Sequence, residues 1–324
     1  MTSKFQASDL LEVADRLSFT PHQTPVDQHG RYDEPLEPEF PFIIRFFRLR
    51  HREISSDFTW HDRLELFIPL DRRASMRMGD RTVEVGAGEI LIVENLKLHR
   101  IIDQPNLDTR LVVISFLPSF VYSLGSPCHD YFFLLPFYTG SNQKRVIREP
   151  SALLGMHPLI AALLRCYTDG NCCYFEAACK ASLLQLLYQL ADHLRVNESL
   201  RSEMIRQQER AARLKPVLEY LSKHYTNPIS LKEAASLARM SLPRFIRLFK
   251  KVSGMTFVNY VTHLRISNAL RLLKESSLTV TEIAAEVGFA DQSYFSRRFK
   301  AAFGQTPGQV RANRETRQIA HTKN

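Results

Sequence analysis

Two imidazoles and one carboxylate are the side chains in the first half of this sequence that could do chemistry. His61 and Glu65 are separated by three residues, and His99 follows after Gly88. Such a set can bind a divalent metal ion, contact a small polar ligand, or form an ordinary group of satisfied core polar side chains. We favour contact with a ligand, and we predict no bound metal, no cofactor and no catalytic residue.

The only tryptophan, Trp60, directly precedes His61. An aromatic ring has an apolar face and polar edges, so Trp60 could stack on a sugar, although a lone tryptophan is more often part of a core. We predict a ligand pocket lined by Arg45, Trp60, His61, Glu65 and His99.

A second set of candidate residues is cationic and lies in the C-terminal third. Residues 213–324 contain 19 Lys and Arg against 7 Asp and Glu, a net charge of +12, whereas residues 1–212 carry a net charge of −3. This basic third suggests a polyanionic partner. DNA, RNA and an anionic membrane all satisfy that requirement on charge alone.

The same third contains an internal repeat. At an offset of 50 residues, Phe245, Arg247, Phe249 and Lys250 recur as Phe295, Arg297, Phe299 and Lys300. Upstream, an offset of 49 relates residues 230–233 to residues 279–282, and both segments have the composition of a capping box. Each copy therefore predicts two short helices around a tight turn, with the aromatic residues of the second helix on its core face.

The outer face of each second helix carries side chains that could contact DNA. A capped short helix, a tight turn and a second helix with a basic face are typical of helix-turn-helix proteins, whose second helix enters the major groove. There, cations reach phosphates or guanine edges, and Gln and Ser contact base edges. The predicted DNA-binding residues are Ser241, Arg244, Arg247, Lys250 and Lys251 in the first copy, and Gln292, Ser293, Ser296, Arg297 and Lys300 in the second.

These residues strongly resemble the AraC/XylS family of bacterial transcription regulators. The resemblance covers about residues 214–312, with one departure at Val310, where the family usually has tyrosine. It implies a seven-helix DNA-binding domain with two helix-turn-helix motifs, promoter binding, contact with RNA polymerase, activation as the usual mode, and homodimers. The matching positions are Arg265, Ala269, Leu272, Leu273, Ile283, Ala284, Val287, Gly288, Phe289, Asp291, Ser293, Tyr294, Phe295, Ser296, Arg297, Phe299, Lys300, Gly304, Thr306 and Pro307.

Residues 40–120 predict a β structure. Short β-branched or aromatic runs are separated by turn signals, which indicates a barrel or jelly roll. Within this stretch His61, Glu65 and His99 resemble two cupin motifs, which hold a divalent metal inside the barrel of cupin enzymes. Here Thr59 stands where the motif has another histidine. A metal-dependent cupin enzyme fused to a DNA-binding module is therefore the alternative function.

Leucines at helical spacing follow in residues 151–196, where they could cover the barrel and pair two chains, or do the first alone. The fold class that we predict is α+β multidomain, with an N-terminal cupin-like β-barrel or jelly roll and helices, and a C-terminal all-α domain with two helix-turn-helix motifs. Its parts are an N-terminal arm (1–40), a cupin-like ligand-binding domain (41–150), a helical dimerisation segment (151–196), a linker (197–213), the DNA-binding domain (214–312) and a tail (313–324).

The function that we predict is a sequence-specific DNA-binding transcription regulator, not an enzyme. It responds to a small metabolite, with carbohydrates among the candidates, and forms a homodimer. The longest apolar runs are far shorter than the ~20 residues that cross a bilayer, and the N-terminus lacks the apolar core of a signal peptide. We therefore expect a cytoplasmic protein with no membrane partner.

Overall fold

The computed structural model describes residues 8–21, 36–37, 39–50, 59–79, 81–102, 108–121, 127–138, 145–169, 174–196, 201–253 and 255–312. The predicted tail, much of the predicted arm and the first four residues of the predicted linker lie outside the described residues. So does Gly254, at the end of the first repeat copy.

Two β-sheets form the N-terminal half of the described chain. The larger has the strand order β1-β2-β8-β3-β6-β9 and the smaller has the order β5-β4-β7. Neighbouring strands are antiparallel apart from β1 and β2, which are parallel. The strands are β1 (Thr20–Pro21), β2 (Phe42–Arg50), β3 (Leu64–Pro69), β4 (Ala74–Met78), β5 (Arg81–Val85), β6 (Ile90–Val93), β7 (His99–Ile102), β8 (Asp108–Phe116) and β9 (Val146–Ile147).

The two sheets pack face to face. Since successive side chains of a strand point to opposite sides, the strands of the larger sheet have one set of side chains between the sheets and another on the side that the helices cover. Phe67 of β3 lies in one apolar cluster with Met76 of β4 and Ile101 of β7. Its neighbour Leu66 belongs to another cluster, on the side that the helices cover. Strand β3 is therefore buried on both faces, which explains why its residues do not alternate between apolar and polar.

Helices cover the outer face of the larger sheet. They are α1 (Ser8–Ala14), α2 (Pro118–Val121), α3 (Pro127–Tyr138), α4 (Pro150–Thr168) and α5 (Phe175–His193). Leu183, Leu186, Leu187 and Leu190 of α5 are all buried within this chain's own core. These leucines are therefore used for coverage of the sheet, and homodimerisation stays a prediction.

The described residues of the C-terminal part form helices joined by short turns, with no strand among them. Its helices are α6 (Arg201–His224), α7 (Leu231–Leu237), α8 (Leu242–Ser253), α9 (Phe257–Glu275), α10 (Val280–Glu286) and α11 (Gln292–Phe303), followed by a last helical turn at residues 307–312. Helix α6 joins the two halves, because Met204 is buried in the N-terminal core while Leu214 and Leu218 are buried in the C-terminal core. Residues 201–213 of the predicted linker are thus part of a continuous helix.

The core of the C-terminal part is built around α9. Phe249 of α8 contacts Phe257 and Tyr260 at ring-centroid distances of 5.4 and 5.3 Å. Arg265 donates hydrogen bonds to the carbonyl oxygens of Tyr225 and Asn227, at 2.7 and 3.0 Å, and so holds the end of α6. Helix α9 is therefore the support on which both helix pairs are mounted.

Candidate nucleic-acid interface and buried polar cluster

Each helix pair begins with a reciprocal pair of hydrogen bonds. The Glu233 amide donates to Ser230 Oγ at 3.1 Å, and the Ser230 amide donates to Glu233 Oε2 at 2.9 Å. Thr279 and Glu282 repeat this arrangement at 3.2 and 2.7 Å. Both capping boxes are confirmed, and the N–H donors lower the pKa of each glutamate.

The turn of each pair contains one residue in the left-handed region. It is Arg239 in the first copy (φ 52°) and Gly288 in the second (φ 88°), 49 positions later. A Cβ atom on Gly288 would lie only 2.2 Å from the carbonyl oxygen of Thr226. Glycine is therefore required at this turn both for its backbone conformation and for the close approach of α6's C-terminal end.

The second helix of each pair buries an aromatic face. Phe245 and Phe249 of α8, and Phe295 and Phe299 of α11, are fully buried. Asp291 caps α11 by accepting a hydrogen bond from the Tyr294 amide. This burial and capping fix which face of each helix is left for solvent.

The predicted DNA-binding residues lie on that outer face. All of them are exposed except Ser296, which is half-buried, and the Gln292 side chain accepts a hydrogen bond from Thr281 at 3.1 Å. They are Ser241, Arg244, Arg247, Lys250, Lys251, Gln292, Ser293, Ser296, Arg297 and Lys300. The structure thus presents two cationic helical faces on one scaffold, although their contact with DNA stays a prediction.

His61, Glu65 and His99 come together between the two sheets. Glu65 Oε2 lies 3.2 Å from His61 Nε2 and 3.8 Å from His99 Nε2, and all three residues are buried. Ser115, which is paired with Glu65 across β8 and β3, donates to Glu65 Oε1 at 2.7 Å. Three segments of the chain therefore supply one polar cluster inside the apolar sandwich.

The pKa values of this cluster are strongly shifted. Burial alone would raise the pKa of Glu65, but attraction to His61 and His99 and hydrogen bonds from His61 and Ser115 outweigh it and lower that pKa to about 2. Burial, together with repulsion from His61, lowers the pKa of His99 to about 4. At neutral pH the cluster thus contains an ionised Glu65 and a neutral His99.

The second nitrogen of each imidazole faces a backbone carbonyl. His99 Nδ1 lies 2.8 Å from the Lys97 oxygen, and His61 Nδ1 lies 3.2 Å from the Arg63 oxygen. Both Nδ1 atoms therefore act as donors, and both Nε2 atoms are directed at Glu65. Metal-binding histidines are oriented in this way, and the ligand atoms of the three residues lie within 4.8 Å of one another, so the cluster could hold a divalent cation.

Arg45 and Trp60 occupy two different places. Arg45 is half-buried on β2, opposite Val113 of β8, which belongs to the apolar cluster between the sheets, so Arg45 lies on the same face of the larger sheet as Glu65. Trp60 is completely buried with Leu96 and Leu98 in the apolar cluster that contains the C-terminal core. Their role in a ligand pocket stays a prediction, but the Trp60 ring lies where the two halves of the chain meet.

Two side chains close to His99 in the sequence contact the C-terminal ends of α8 and α11. These contacts were not predicted from the sequence. Lys97 Nζ donates to the Lys251 carbonyl near the end of α8 at 3.4 Å. Arg100 Nη2 donates to the Ala302 carbonyl near the end of α11 at 2.5 Å, and its guanidinium lies 5.3 Å from the centre of the Phe303 ring. Lys97, just before β7, and Arg100, on β7, therefore contact α8 and α11 from one short segment of the chain.

Comparison with known proteins gives a family for the C-terminal part. A family model described as a helix-turn-helix domain matches residues 234–313. The HTH-type transcriptional regulator YdeC of Bacillus subtilis is 27% identical over 258 residues, which cover 76% of this chain and 83% of YdeC. The HTH-type transcriptional activator RhaS of Escherichia fergusonii is 33% identical over 130 residues, which cover 40% of this chain and 45% of RhaS.

Among solved structures, the chain is similar to ToxT from Vibrio cholerae in a form without ligand. The two share 13% sequence identity, with a TM-score of 0.45 over 85% of this chain and 98% of ToxT. Within the described residues, no helix is both long and apolar enough to cross a membrane.

Proposed function

We propose that this chain is an AraC-type helix-turn-helix transcriptional regulator, as the matches to a helix-turn-helix family model and to HTH-type regulators suggest, and that α8 and α11 are two recognition helices that read one promoter site. The observation that carries this proposal is the duplicated, capped helix pair whose second helix buries its aromatic face and exposes its cationic face. A single chain then binds two consecutive stretches of major groove.

The length of α9 supports two simultaneous contacts. Its 19 residues span ~28 Å at ~1.5 Å per residue. Successive major grooves on one side of B-DNA are roughly 34 Å apart. A support of this length can hold α8 and α11 in neighbouring grooves with little bending of the DNA.

We also propose that the N-terminal, cupin-like domain binds a small effector at His61, Glu65 and His99. An ionised carboxylate inside an apolar sandwich gives a polar ligand specific partners. Carbohydrates remain candidates through the family resemblance, and no residue identifies one. Because His99 lies between Lys97 and Arg100, an effector that moves β7 changes the support of both recognition helices.

The effector acts only as far as it binds two arrangements of the chain with different affinity. Homodimerisation, contact with RNA polymerase and activation belong to the same proposal. Together they describe a regulator that recruits or positions the polymerase when the effector favours one of these arrangements.

A divalent cation is the second candidate occupant of the cluster. His61 faces an acceptor on both sides, a carbonyl at Nδ1 and a carboxylate at Nε2. That arrangement is satisfied either by a proton on each nitrogen or by a cation between His61 and Glu65. Metal analysis of the purified chain distinguishes them, since a stoichiometric ion that is lost in His61→Ala favours the cation.

DNA binding to promoter fragments tests the main proposal. If Arg247 and Arg297 contact bases, alanine at either position costs ~1–3 kcal/mol and relaxes specificity at one position of the site. Arg81→Ala is the matched control, because Arg81 is also exposed but lies on β5. Equal affinity for all sequences, unchanged in the double variant Arg247→Ala/Arg297→Ala, would contradict the proposal.

A further inference from the structure

A basic cleft lies between α6 and α8. Its volume is about 390 Å³, and both helices contribute cationic side chains to its walls. Resting on the proposed function, we infer that this cleft binds phosphates of the DNA backbone, which makes the first half of α6 a third DNA-contacting element. This part of α6 lies upstream of residues 234–313, which match the helix-turn-helix family.

The cations of the cleft follow helical spacing on both walls. Arg206, Arg210 and Arg213 are related by steps of four and three residues, which places them on one face of α6. Arg244, Arg247 and Lys251 are related by steps of three and four on α8. The walls are therefore two rows of positive charge rather than a chance cluster.

The charges in the cleft are strongly unbalanced. Six of its nine lining residues are Arg or Lys, and Glu209 is its one carboxylate. Cations that face one another across a cleft repel, and a group with several negative oxygens between them relieves that repulsion. Arginine in particular matches the geometry of phosphate oxygens through two parallel hydrogen bonds.

The position of α8 favours DNA phosphates over a free anion. The major groove is about 12 Å wide and is bordered on each side by a phosphate strand. Packed helices have axes ~8–10 Å apart, so a helix packed beside a recognition helix lies close to one of these strands. With α8 in the groove, the arginines of α6 reach the strand that borders it.

The same helix connects this contact to the N-terminal domain. Arg201 lies 4.6 Å from the centre of the Tyr131 ring of α3, and Met204 is buried in the N-terminal core. Arg206 and Arg210 follow within two turns. The phosphate contact therefore depends on how α6 is docked against the N-terminal half, so that docking adjusts affinity without changing the bases that are read.

The test compares full-length wild type with Arg206→Gln/Arg210→Gln on promoter DNA over a range of salt concentrations. Each lost phosphate contact reduces the slope of log K against log salt by about 0.9, so we expect a loss of about 1–2 from the slope. Affinity should fall by a similar factor for promoter and unrelated DNA, because phosphates carry no sequence. The control Arg73→Gln/Arg81→Gln removes the same charge from exposed positions of the N-terminal domain.

Three results would overturn the inference. The first is a salt slope of Arg206→Gln/Arg210→Gln that equals the slope of the control. If wild type still prefers its promoter, the proposed function is then left intact. The second is a fall in sequence preference at constant slope, which makes these arginines base-reading residues. The third combines two measurements. Wild type without DNA binds inorganic pyrophosphate tightly and stoichiometrically and the variant does not, while the salt slope of DNA binding is the same for both. That result assigns the cleft to a free anion. Loss of promoter preference in wild type itself would instead remove the proposed function.

Discussion

Arg100 of β7 donates a 2.5 Å hydrogen bond to the backbone carbonyl of Ala302, in the last turn of α11. The carbonyls at a helix C-terminus have no partner within the helix and carry partial negative charge. A guanidinium from the N-terminal half therefore stabilises one end of a proposed recognition helix. This side chain therefore joins β7 to α11 directly.

Arg100→Ala should loosen α11 from the smaller sheet. Loss of a hydrogen bond with a charged donor and of the Phe303 ring contact should lower the free energy of unfolding by about 1–3 kcal/mol. Amide hydrogen exchange of the last turn of α11 should become faster. Arg73→Ala serves as the control. If amide exchange in the last turn of α11 is the same in Arg100→Ala as in wild type, Arg100 does not hold the helix.

His263 should make the contact between the two halves sensitive to acid. Its ring on α9 is mostly buried, and burial, followed by the positive charges of Arg100, Arg298 and Arg77, lowers its pKa from 6.5 to about 4. Since the unfolded chain binds this proton more readily, the free energy of unfolding should fall as pH drops from about 6.5 to about 4, with no further loss from this group below that.

At 1.36 kcal/mol per pKa unit this loss is at most about 3 kcal/mol, and residual contact of the ring with water reduces it. Urea unfolding of wild type and His263→Gln between pH 4 and 7 measures it. The variant should have a flatter profile in this window. Parallel profiles would mean that other groups cause the acid sensitivity.

Gly288→Ala should destabilise the second helix pair. The new Cβ atom would lie 2.2 Å from the Thr226 carbonyl oxygen at a φ of 88°, so the turn must shift as well as adopt a strained conformation that costs ~1–3 kcal/mol. Gly308→Ala is the matched control, because a Cβ atom there has nothing within 4 Å. Equal urea midpoints for the two variants would contradict this account of the turn.

Trp60 should report on the contact between the two halves by its fluorescence. The ring is completely buried beside Leu96 and Leu98, and it is the only tryptophan of the chain. We expect short-wavelength emission in the wild type and a red shift in Lys97→Ala/Arg100→Ala, because loosening the helices lets water reach the indole. Identical spectra would show that the ring stays covered when these contacts are removed.

The arrangement of the helix pairs was predictable because it depends on neighbouring residues. Ser230 and Glu233, or Thr279 and Glu282, satisfy each other within one turn, and the spacing of Phe295 and Phe299 defines a buried face in any packed helix. The β character of residues 40–120 follows from local composition in the same way. The division into a β-rich half and a helical, basic half could therefore be predicted without coordinates.

The contacts across the molecule were decided only by tertiary structure. Glu65 lies on β3 of the larger sheet, His61 just before it and His99 on β7 of the smaller sheet, and a resemblance, rather than their spacing, suggested that they meet. Nothing in the residues around Lys97, Arg100 or Trp60 indicated that they reach α8, α11 and the C-terminal core. Such contacts join segments up to 202 positions apart, and their geometry depends on how whole layers pack, which no local pattern of side chains encodes.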